Sequence, residues 1–341
     1  MEVIPGAVLF LLFLWFSFWV GGAMDCAGNN IVHTITVDQQ GKGEFTTVQA
    51  AIDSIMKFNN RWVKLHINAG TYTEKVEISE YKPCIFLEGA GKEVTTIRSS
   101  GYHSTSTIKS SVKNRNENTG AIFVSFPPNV IVIGITFENS FNLMGSQPIQ
   151  PAPAAAIYGD KSVFLECGFK SYQDTLFDEL GRHYFKNCYI QGEVDFIYGG
   201  GQSYYEACTI NATQEKPSST GFVTAQSRYS EKDTSGFVFR TGSVTGSGEV
   251  NLGRAWGPYS RVIFYGTYFS SIVSPQGWNA WNYRGQESKL TYAEVDCTGP
   301  GANTTERVQW RKNLTNSQLN EFSLSSYINK DGWLSNLPIK F

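Results

Sequence analysis

The chain has 341 residues, and its content of 41% hydrophobic and 17% charged residues is that of a globular protein with a sizeable core. Its formal net charge of −2 at pH 7 provides no basic field, which argues against nucleic acid as a partner. The 23 Phe, 17 Tyr and 33 Gly favour β-structure with many turns.

The N-terminus has the features of a secretory signal peptide. An almost wholly apolar run from Ala7 to Val20 is shorter than the ~20 residues of a membrane span, and small residues follow it directly. The start carries Glu2 and no Lys or Arg, so an uncleaved membrane anchor stays the second interpretation. We predict a signal peptide over residues 1–23 and a single secreted domain over residues 24–341.

Glycosylation triplets and an even number of cysteines agree with an extracellular protein. The pairing of the cysteines cannot be read from the sequence. No pair of cysteines or histidines has the spacing of zinc ligands, and neither a metal nor a cofactor is predicted. The triplets begin at Asn211, Asn303 and Asn313, and the cysteines are Cys26, Cys84, Cys167, Cys188, Cys208 and Cys297.

The first predicted element after the signal is a short helix. Residues 47–55 have helical spacing, with Thr46 or Thr47 as the N-cap. Apolar alternation over residues 63–67 then predicts a strand, and residues 70–72 are interpreted as a turn. Short apolar runs separated by turns continue beyond this point without a long amphipathic helix, which argues against alternating strands and helices.

The central third of the chain contains an internal repeat. An aromatic residue, two residues, Cys, one residue and a bulky apolar residue occur at 164–169, 185–190 and 205–210, with looser echoes at 239–244 and 264–269. A period near 20 with short strands predicts a β-solenoid, in which equivalent positions of neighbouring coils lie about 4.8 Å apart. The three repeat cysteines are expected to form a buried stack rather than reactive thiols.

The C-terminal stretch changes character. Residues 316–327 predict a short helix, and an apolar group follows at residues 332–334. This segment is predicted to cover an exposed part of the solenoid. Upstream, the Pro- and Ala-rich residues 147–156 are interpreted as a long loop, and no linker marks a second domain.

Two aspartates lie one repeat length apart. Asp174 and Asp195 are 21 residues from each other, and each follows the cysteine of its coil by seven residues. A solenoid would place both carboxylates on one face, where one pKa should rise and the pair can divide nucleophile from general acid. An isolated pair would more simply be two solvated turn residues, but the equal offset within the repeat argues against that.

A third candidate segment contains Arg254 and Trp256. An arginine beside a carboxylate keeps it ionised and oriented through paired hydrogen bonds. A nearby exposed tryptophan can stack on a sugar ring. Taken alone, the segment would be a surface salt bridge and a core tryptophan.

Four segments carry a further signal through their identity and order. They are Gly70-Thr71-Tyr72-Thr73-Glu74, Gln173-Asp174-Thr175-Leu176, Asp195-Phe196-Ile197-Tyr198-Gly199 and Leu252-Gly253-Arg254-Ala255-Trp256. In this order they resemble plant pectin methylesterases (pectinesterases) across essentially the whole mature chain. The resemblance implies an all-β fold, a right-handed parallel β-helix with short capping helices. It also implies the short form of the family, without an inhibitor-like pro-region, acting in the cell wall.

The resemblance implies a role for each matching position. Asp195 would be the nucleophile that attacks the carbonyl carbon of a methylated galacturonate. Asp174 would protonate the departing methanol and then act as base toward water, while Gln173 would stabilise the oxyanion. Arg254 would orient Asp195. The implied substrate-binding residues are Arg254, Trp256, Phe177 and Tyr198.

The implied partner is methylated pectin, with a proteinaceous pectinesterase inhibitor as a second. One position departs from the family pattern, which usually has a second glutamine 22 residues before Gln173. This chain has Pro151 there. Unless the neighbouring Gln150 substitutes, the oxyanion loses a donor, which could cost on the order of a hundredfold in rate.

The same residues bear on four other functions. A polygalacturonase or a lyase shares the expected fold. The chain has no Gly-His-Gly and no Asp-Asp pair, which such hydrolases normally show, and His183 is interpreted as structural. A lyase would need calcium and basic residues at the bond. A serine esterase is disfavoured because no Gly-x-Ser-x-Gly occurs. A non-catalytic pectin-binding protein on the same scaffold remains the alternative that Pro151 motivates.

Overall fold

The computed structural model describes residues 25–102, 120–142, 149–213 and 220–341. Within these residues the chain winds as a right-handed parallel β-helix, which confirms the predicted fold class. Its strands, numbered in chain order, stack into three parallel sheets. The predicted signal peptide at residues 1–23 lies outside the described residues.

The three sheets are named A, B and C in the order in which each coil visits them. Among the described residues, sheet A consists of β1 (Ile31–Val37), β2 (Trp62–Ile67), β5 (Ile85–Gly89), β8 (Val130–Ile133), β11 (Ser162–Leu165), β14 (Arg182–Lys186), β17 (Gln202–Glu206), β20 (Gly236–Arg240), β23 (Arg261–Tyr265) and β26 (Thr291–Val295). Sheet B consists of β3 (Gly70–Thr73), β6 (Thr95–Ser99), β9 (Thr136–Asn139), β12 (Gly168–Lys170), β15 (Tyr189–Gly192), β18 (Thr209–Ala212), β21 (Ser243–Gly246) and β24 (Tyr268–Phe269). Sheet C consists of β4 (Val76–Ile78), β7 (Phe123–Ser125), β10 (Ala155–Ile157), β13 (Leu176–Asp178), β16 (Ile197–Gly199), β19 (Gly221–Gln226), β22 (Val250–Ala255) and β25 (Trp278–Asn279).

The repeat read from the sequence sets the register of the coils. Phe164 of β11 pairs with Phe185 of β14, and Phe185 pairs with Tyr205 of β17. Their rings stack inside the solenoid, with centroids 5.1 Å and 4.5 Å apart. The stack continues through Phe239 and Phe264 at 4.6 Å and 4.4 Å. Aromatic rings in such offset stacks bury large apolar area and hold successive coils in register.

The repeat cysteines form the buried stack that the sequence predicts. Cys167, Cys188 and Cys208 are free thiols with almost no exposed surface. Burial raises the pKa of Cys167 and of Cys208 well above the usual value, so both stay protonated. Cys26 and Cys84 form a disulfide that ties the N-terminal segment to the start of β5.

The predicted N-terminal helix is confirmed as α1 (Val48–Ser54), with the Thr47 hydroxyl accepting from the Ala50 amide at 3.3 Å. The Glu74 carboxylate also lies at its start and accepts from the amides of Val48 and Gln49, at 2.8 Å and 2.9 Å. A carboxylate is favourable there because the first amides of a helix have no partner within the helix.

One turn prediction is wrong, and one predicted loop extends too far. Residues 70–72 belong to strand β3, where Tyr72 is buried and its hydroxyl donates to the carbonyl of Asn68 at 3.0 Å. Of the predicted loop over residues 147–156, residues 147 and 148 lie outside the described residues, and the loop ends at residue 154 because β10 begins at Ala155. A corner of a solenoid needs very few residues. Strands therefore begin at Gly70 and at Ala155, within segments whose residue types suggest a turn or a loop.

The C-terminal segment covers the outer face of sheet A, as predicted. The predicted helix over 316–327 is two short helices, α2 (Asn316–Glu321) and α3 (Leu324–Tyr327), each with a hydroxyl N-cap. Single-turn 3-10 helices lie at Trp281–Tyr283, Glu287–Lys289, Pro300–Ala302 and Trp333–Asn336. Apolar side chains from the end of the chain pack on the sheet; they are Tyr327, Ile328, Trp333, Leu334 and Leu337.

Within the described ranges, no helix is both long and apolar enough to cross a membrane.

Candidate active site

The two aspartates occupy equivalent corners, where successive coils turn from sheet B into sheet C. The residues before them, Gln173 and Val194, pair in an isolated β-bridge, and the Asp174 amide donates to the Val194 carbonyl at 3.0 Å. Both aspartates have left-handed backbones, with φ of 61° and 50°. Asp tolerates this region better than most residues, and the conformation places the two side chains on the same side of the corner.

Asp195 is held by Arg254 of β22. The arginine Nε donates to Asp195 Oδ1 at 2.7 Å, and a terminal guanidinium nitrogen donates to Oδ2. The guanidinium in turn lies between two aromatic rings, 4.6 Å from the centre of Phe222 and 3.9 Å from that of Trp281. Burial raises the pKa of Asp195 and Arg254 opposes the rise. The two-pronged contact fixes the orientation of the carboxylate.

Asp174 has no such arginine bond and titrates differently. Burial, followed by the nearby charge of Asp195, raises the pKa of Asp174 to about 8, while Arg254 and a hydrogen bond from Gln173 oppose that rise. Asp174 therefore carries a proton at neutral pH. Two neighbouring carboxyl groups in different environments can divide the roles of nucleophile and proton donor.

Pro151 occupies the corner one coil before Gln173. The two residues form an isolated parallel β-bridge, and the Ala152 amide donates to the Gln173 carbonyl at 3.1 Å. Gln150 is held through its backbone: its amide donates to Asn142 Oδ1 at 3.0 Å and its carbonyl accepts from Asn142 Nδ2 at 2.8 Å. The register therefore puts Pro151, and not Gln150, in line with Gln173.

Aromatic side chains line the outer face of sheet C beside the aspartates. Phe177 and Tyr198 pair in register on β13 and β16, and their rings stack in parallel with centroids 4.5 Å apart. Trp256 lies 5.9 Å from the Tyr198 ring, and 37% of its surface is exposed. The carboxylates thus share one side of the solenoid with a row of aromatic rings, of which Trp256 is the most exposed.

The sequence model of a family described as Pectinesterase matches residues 34–331. This chain belongs to the pectinesterase family. It is 43% identical to "Putative pectinesterase 10" of Arabidopsis thaliana, over 93% of this chain and 91% of that protein. It is 44% identical to "Probable pectinesterase 55" of the same plant, over 90% and 91%. Among solved structures it resembles "Pectin methylesterase from Carrot", with a TM-score of 0.79, 27% identity and coverage of 93% and 98%.

Several residues at this candidate site were not identified from the sequence. Phe222 and Trp281, which enclose Arg254, lie in longer coils where the 20-residue period no longer assigns positions. Tyr158 and Phe126 extend the aromatic row, with Tyr158 5.8 Å from Phe177 and Phe126 stacked on Tyr158 at 4.9 Å. The period would have pointed to Ala156, which pairs with Phe177 but offers no ring.

No cluster of three or more His, Cys, Asp or Glu side chains that could hold a metal ion is found in the part of the chain that the structure describes.

Proposed function

We propose that this chain hydrolyses the methyl esters of polygalacturonate, releasing methanol and leaving pectate. Membership of the pectinesterase family supports this function. The observation that carries it is the pairing of Asp195, held by Arg254, with Asp174, whose pKa is raised to about 8. An oriented carboxylate next to a protonated one provides both a nucleophile and an acid for ester cleavage.

In the first step, a carboxylate oxygen of Asp195 attacks the carbonyl carbon of the methyl ester. Negative charge develops on the former carbonyl oxygen, and the side-chain amide of Gln173 donates a hydrogen bond to it. The bond from carbon to the methoxy oxygen then breaks while Asp174 gives its proton to that oxygen. Methanol leaves, and the galacturonyl group stays on Asp195 as an acyl-enzyme.

In the second step, water replaces methanol beside the acyl carbon. Asp174, now a carboxylate, takes a proton from the water as the oxygen attacks. The bond between the acyl carbon and Asp195 breaks, which frees the galacturonate and restores the Asp195 carboxylate. Asp174 is again protonated, so the enzyme returns to its starting state.

Substrate binding is assigned to the side chains around this pair. Phe177, Tyr198 and Trp256 form an aromatic row beside the aspartates that can support sugar rings, and Arg254, which holds Asp195, is assigned to contact the substrate as well. The stacked rings of Phe177 and Tyr198 support a role as the floor of the cleft. The partly exposed Trp256 supports a role at its rim.

We also infer that residues 1–23 are a signal peptide, that residues 24–341 are the catalytic domain, and that the protein is a secreted cell-wall glycoprotein. The apolar N-terminal run and the family membership support secretion. Asn303 and Asn313 lie on the surface, which supports glycosylation there. Binding of a proteinaceous pectinesterase inhibitor stays a prediction from the family.

Replacing Asp195 with Asn tests the proposal. Asp195→Asn should reduce methanol release from methylated pectin to background, because an amide cannot form the acyl-enzyme. Asp296→Asn is a matched control, since Asp296 is exposed and has nearly the same backbone, with φ of 49°. It should retain wild-type activity.

Two outcomes would contradict the proposal. Methanol release by Asp195→Asn at the wild-type rate would remove the assigned nucleophile. Wild-type protein that shortens the polymer, seen as new reducing ends or unsaturated ends without methanol, would instead be a glycoside hydrolase or a lyase. Binding of pectin without any product would indicate a non-catalytic protein.

A further inference from the structure

One ring in the interior aromatic stack differs from its neighbours. The stack contains Phe164, Phe185, Tyr205, Phe239 and Phe264, so a single hydroxyl group lies in a column of phenyl rings. The Tyr205 hydroxyl donates to Asp178 Oδ2 at 2.5 Å, and both residues are almost fully buried. Burial, followed by Asp178, raises the pKa of Tyr205 far above its usual range, so it remains a donor.

Asp178 is an acidic residue inside the solenoid. It is the last residue of β13 and has no exposed surface. Its other carboxyl oxygen lies 2.5 Å from Nδ1 of His183, which is also fully buried, and His183 Nε2 lies 3.0 Å from the Gly159 carbonyl. Since a carbonyl only accepts, Nε2 carries a proton.

Stability alone does not account for this cluster. Burying polar groups is costly unless every one is paired, and apolar residues of similar size often serve equally well or better. The preceding coil provides that comparison, because Ile157 pairs in register with Asp178 and needs no partner. The three members of the cluster lie in the coils that carry the two catalytic aspartates and in the coil that follows them.

Asp178 joins the strands that follow those aspartates. Its carbonyl accepts from the Gly201 amide at 2.9 Å, just beyond the end of β16. Gly199, at the end of β16, has φ of 120° and passes so close that a Cβ there would lie 2.3 Å from the Asp178 carbonyl oxygen. β13 starts two residues after Asp174, and β16 starts two residues after Asp195. This contact therefore holds the two strands together at the ends that lie farther from the aspartates.

We propose that Asp178, held by His183 and Tyr205, is a positioning residue that fixes β13 against β16 and so sets the spacing of Asp174 and Asp195. This inference rests on the catalytic roles proposed above for the two aspartates. The cluster joins three successive coils, because β13, β14 and β17 each contribute one member. It acts through the backbone and touches no substrate.

The hydroxyl of Tyr205 is the most selective target for a test. Tyr205→Phe makes the stack uniformly phenyl, so the core should remain packed, while Asp178 loses one donor. We expect kcat to fall roughly tenfold with little change in KM, since small misplacement of reacting groups slows chemistry more than binding. The alkaline limb of the kcat profile should also shift, because the pKa of Asp174 depends on its distance from Asp195.

Tyr72→Phe is the matched control. Tyr72 is equally buried, and its hydroxyl donates to the carbonyls of Val37 and Asn68. It lies on β3, however, which is three strands away in sheet B from β12, the strand that precedes Asp174. This variant should lose stability without any change in kcat or in the pH profile. Wild-type kcat and pH profile in Tyr205→Phe would overturn the inference.

A titration without substrate separates this inference from the proposed function. Carbon-13 NMR of the Asp174 carboxyl group should show a different pKa in Tyr205→Phe and in Asp178→Asn than in the wild type and in Tyr72→Phe. An unchanged Asp174 titration in both variants would overturn the positioning role even if no methanol were released. Absence of methanol from the wild type, with a shifted titration, would reject the function and keep the positioning role.

Discussion

At the corner of two successive coils, a single arginine makes two similar aspartates different. Asp174 and Asp195 share the same backbone conformation and both are buried enough for desolvation to raise the pKa. Only Asp195 receives the paired hydrogen bonds of Arg254. The negative charge of Asp195 then adds to the rise in the pKa of Asp174. The assignment of acid and nucleophile follows from this asymmetry.

The pKa of Asp174 leads to a prediction about pH dependence. The kcat for methanol release should fall as pH rises through about 8, because Asp174 loses the proton that it must give to the leaving group. The measurement is a pH series of kcat on methylated pectin. A rate that keeps rising well above that pH would show that Asp174 is not the proton donor.

The carboxyl group of Asp174 also makes the free energy of unfolding depend on pH. The folded-state pKa of Asp174, about 8, lies above its unfolded value of about 3.9, so the folded state binds more protons between these values. Its contribution is therefore fully present below about pH 4 and is lost as pH rises toward about 8. In the Asp174→Asn variant this side chain cannot ionise. The free energy of unfolding of the variant should therefore fall less steeply over that pH range than that of the wild type.

Residues of the candidate site could be predicted where the repeat holds or where a motif marks them, but not elsewhere. Asp174 and Asp195 have the same offset from their cysteines, and this alone placed them in adjacent coils. Arg254 was found through its motif, but its aromatic neighbours Phe222 and Trp281 were not. They lie in coils lengthened by extra residues, where sequence spacing no longer determines which side chains meet.

At the scale of strands and corners, one backbone feature recurs before the repeat cysteines. Glu166, Asn187 and Ala207 precede them with φ of 52°, 54° and 53°. One left-handed residue turns the chain from sheet A into sheet B, although none of these is a glycine. Turn prediction from glycine and proline therefore misses these corners, and the same reasoning wrongly assigned a turn to residues 70–72, which form part of β3.

The row of corner residues Pro151, Gln173 and Val194 leads to a second prediction. Pro151 is in line with Gln173 one coil away, where the family usually has a glutamine. Pro151→Gln should raise kcat, by up to on the order of a hundredfold if the missing donor limits catalysis. Gln150→Ala is the companion variant, and it should leave kcat unchanged because the Gln150 backbone is already held by Asn142.

An unchanged kcat in Pro151→Gln would contradict the idea that the oxyanion lacks a donor. A loss of kcat in Gln150→Ala would show that this side chain already provides one. Pro151 alone does not favour a non-catalytic protein, since Asp174, Asp195 and Arg254 remain together as a complete set.

For the whole molecule, periodicity was enough to predict the solenoid but not its ends. A period of about 20 requires stacked coils, whatever the details of each corner. The disulfide between Cys26 and Cys84 and the Glu74 contact with α1 each depend on residues far apart in sequence. Such contacts have no local pattern, so only the folded chain reveals them.

The disulfide should stabilise one end of the molecule. In a solenoid each coil contacts mainly its neighbours, so a constraint at the N-terminus acts locally. Cys26 and Cys84 are 58 residues apart. In the double variant Cys26→Ser/Cys84→Ser, the free energy needed to open the first coils should fall by roughly 2–4 kcal/mol.

Hydrogen exchange should accelerate in β1 and β2 but not in β23 and β26, with methanol release retained below the melting range. Cys297→Ser, which removes a free thiol, is the control. Equal acceleration along the whole chain would contradict local stabilisation.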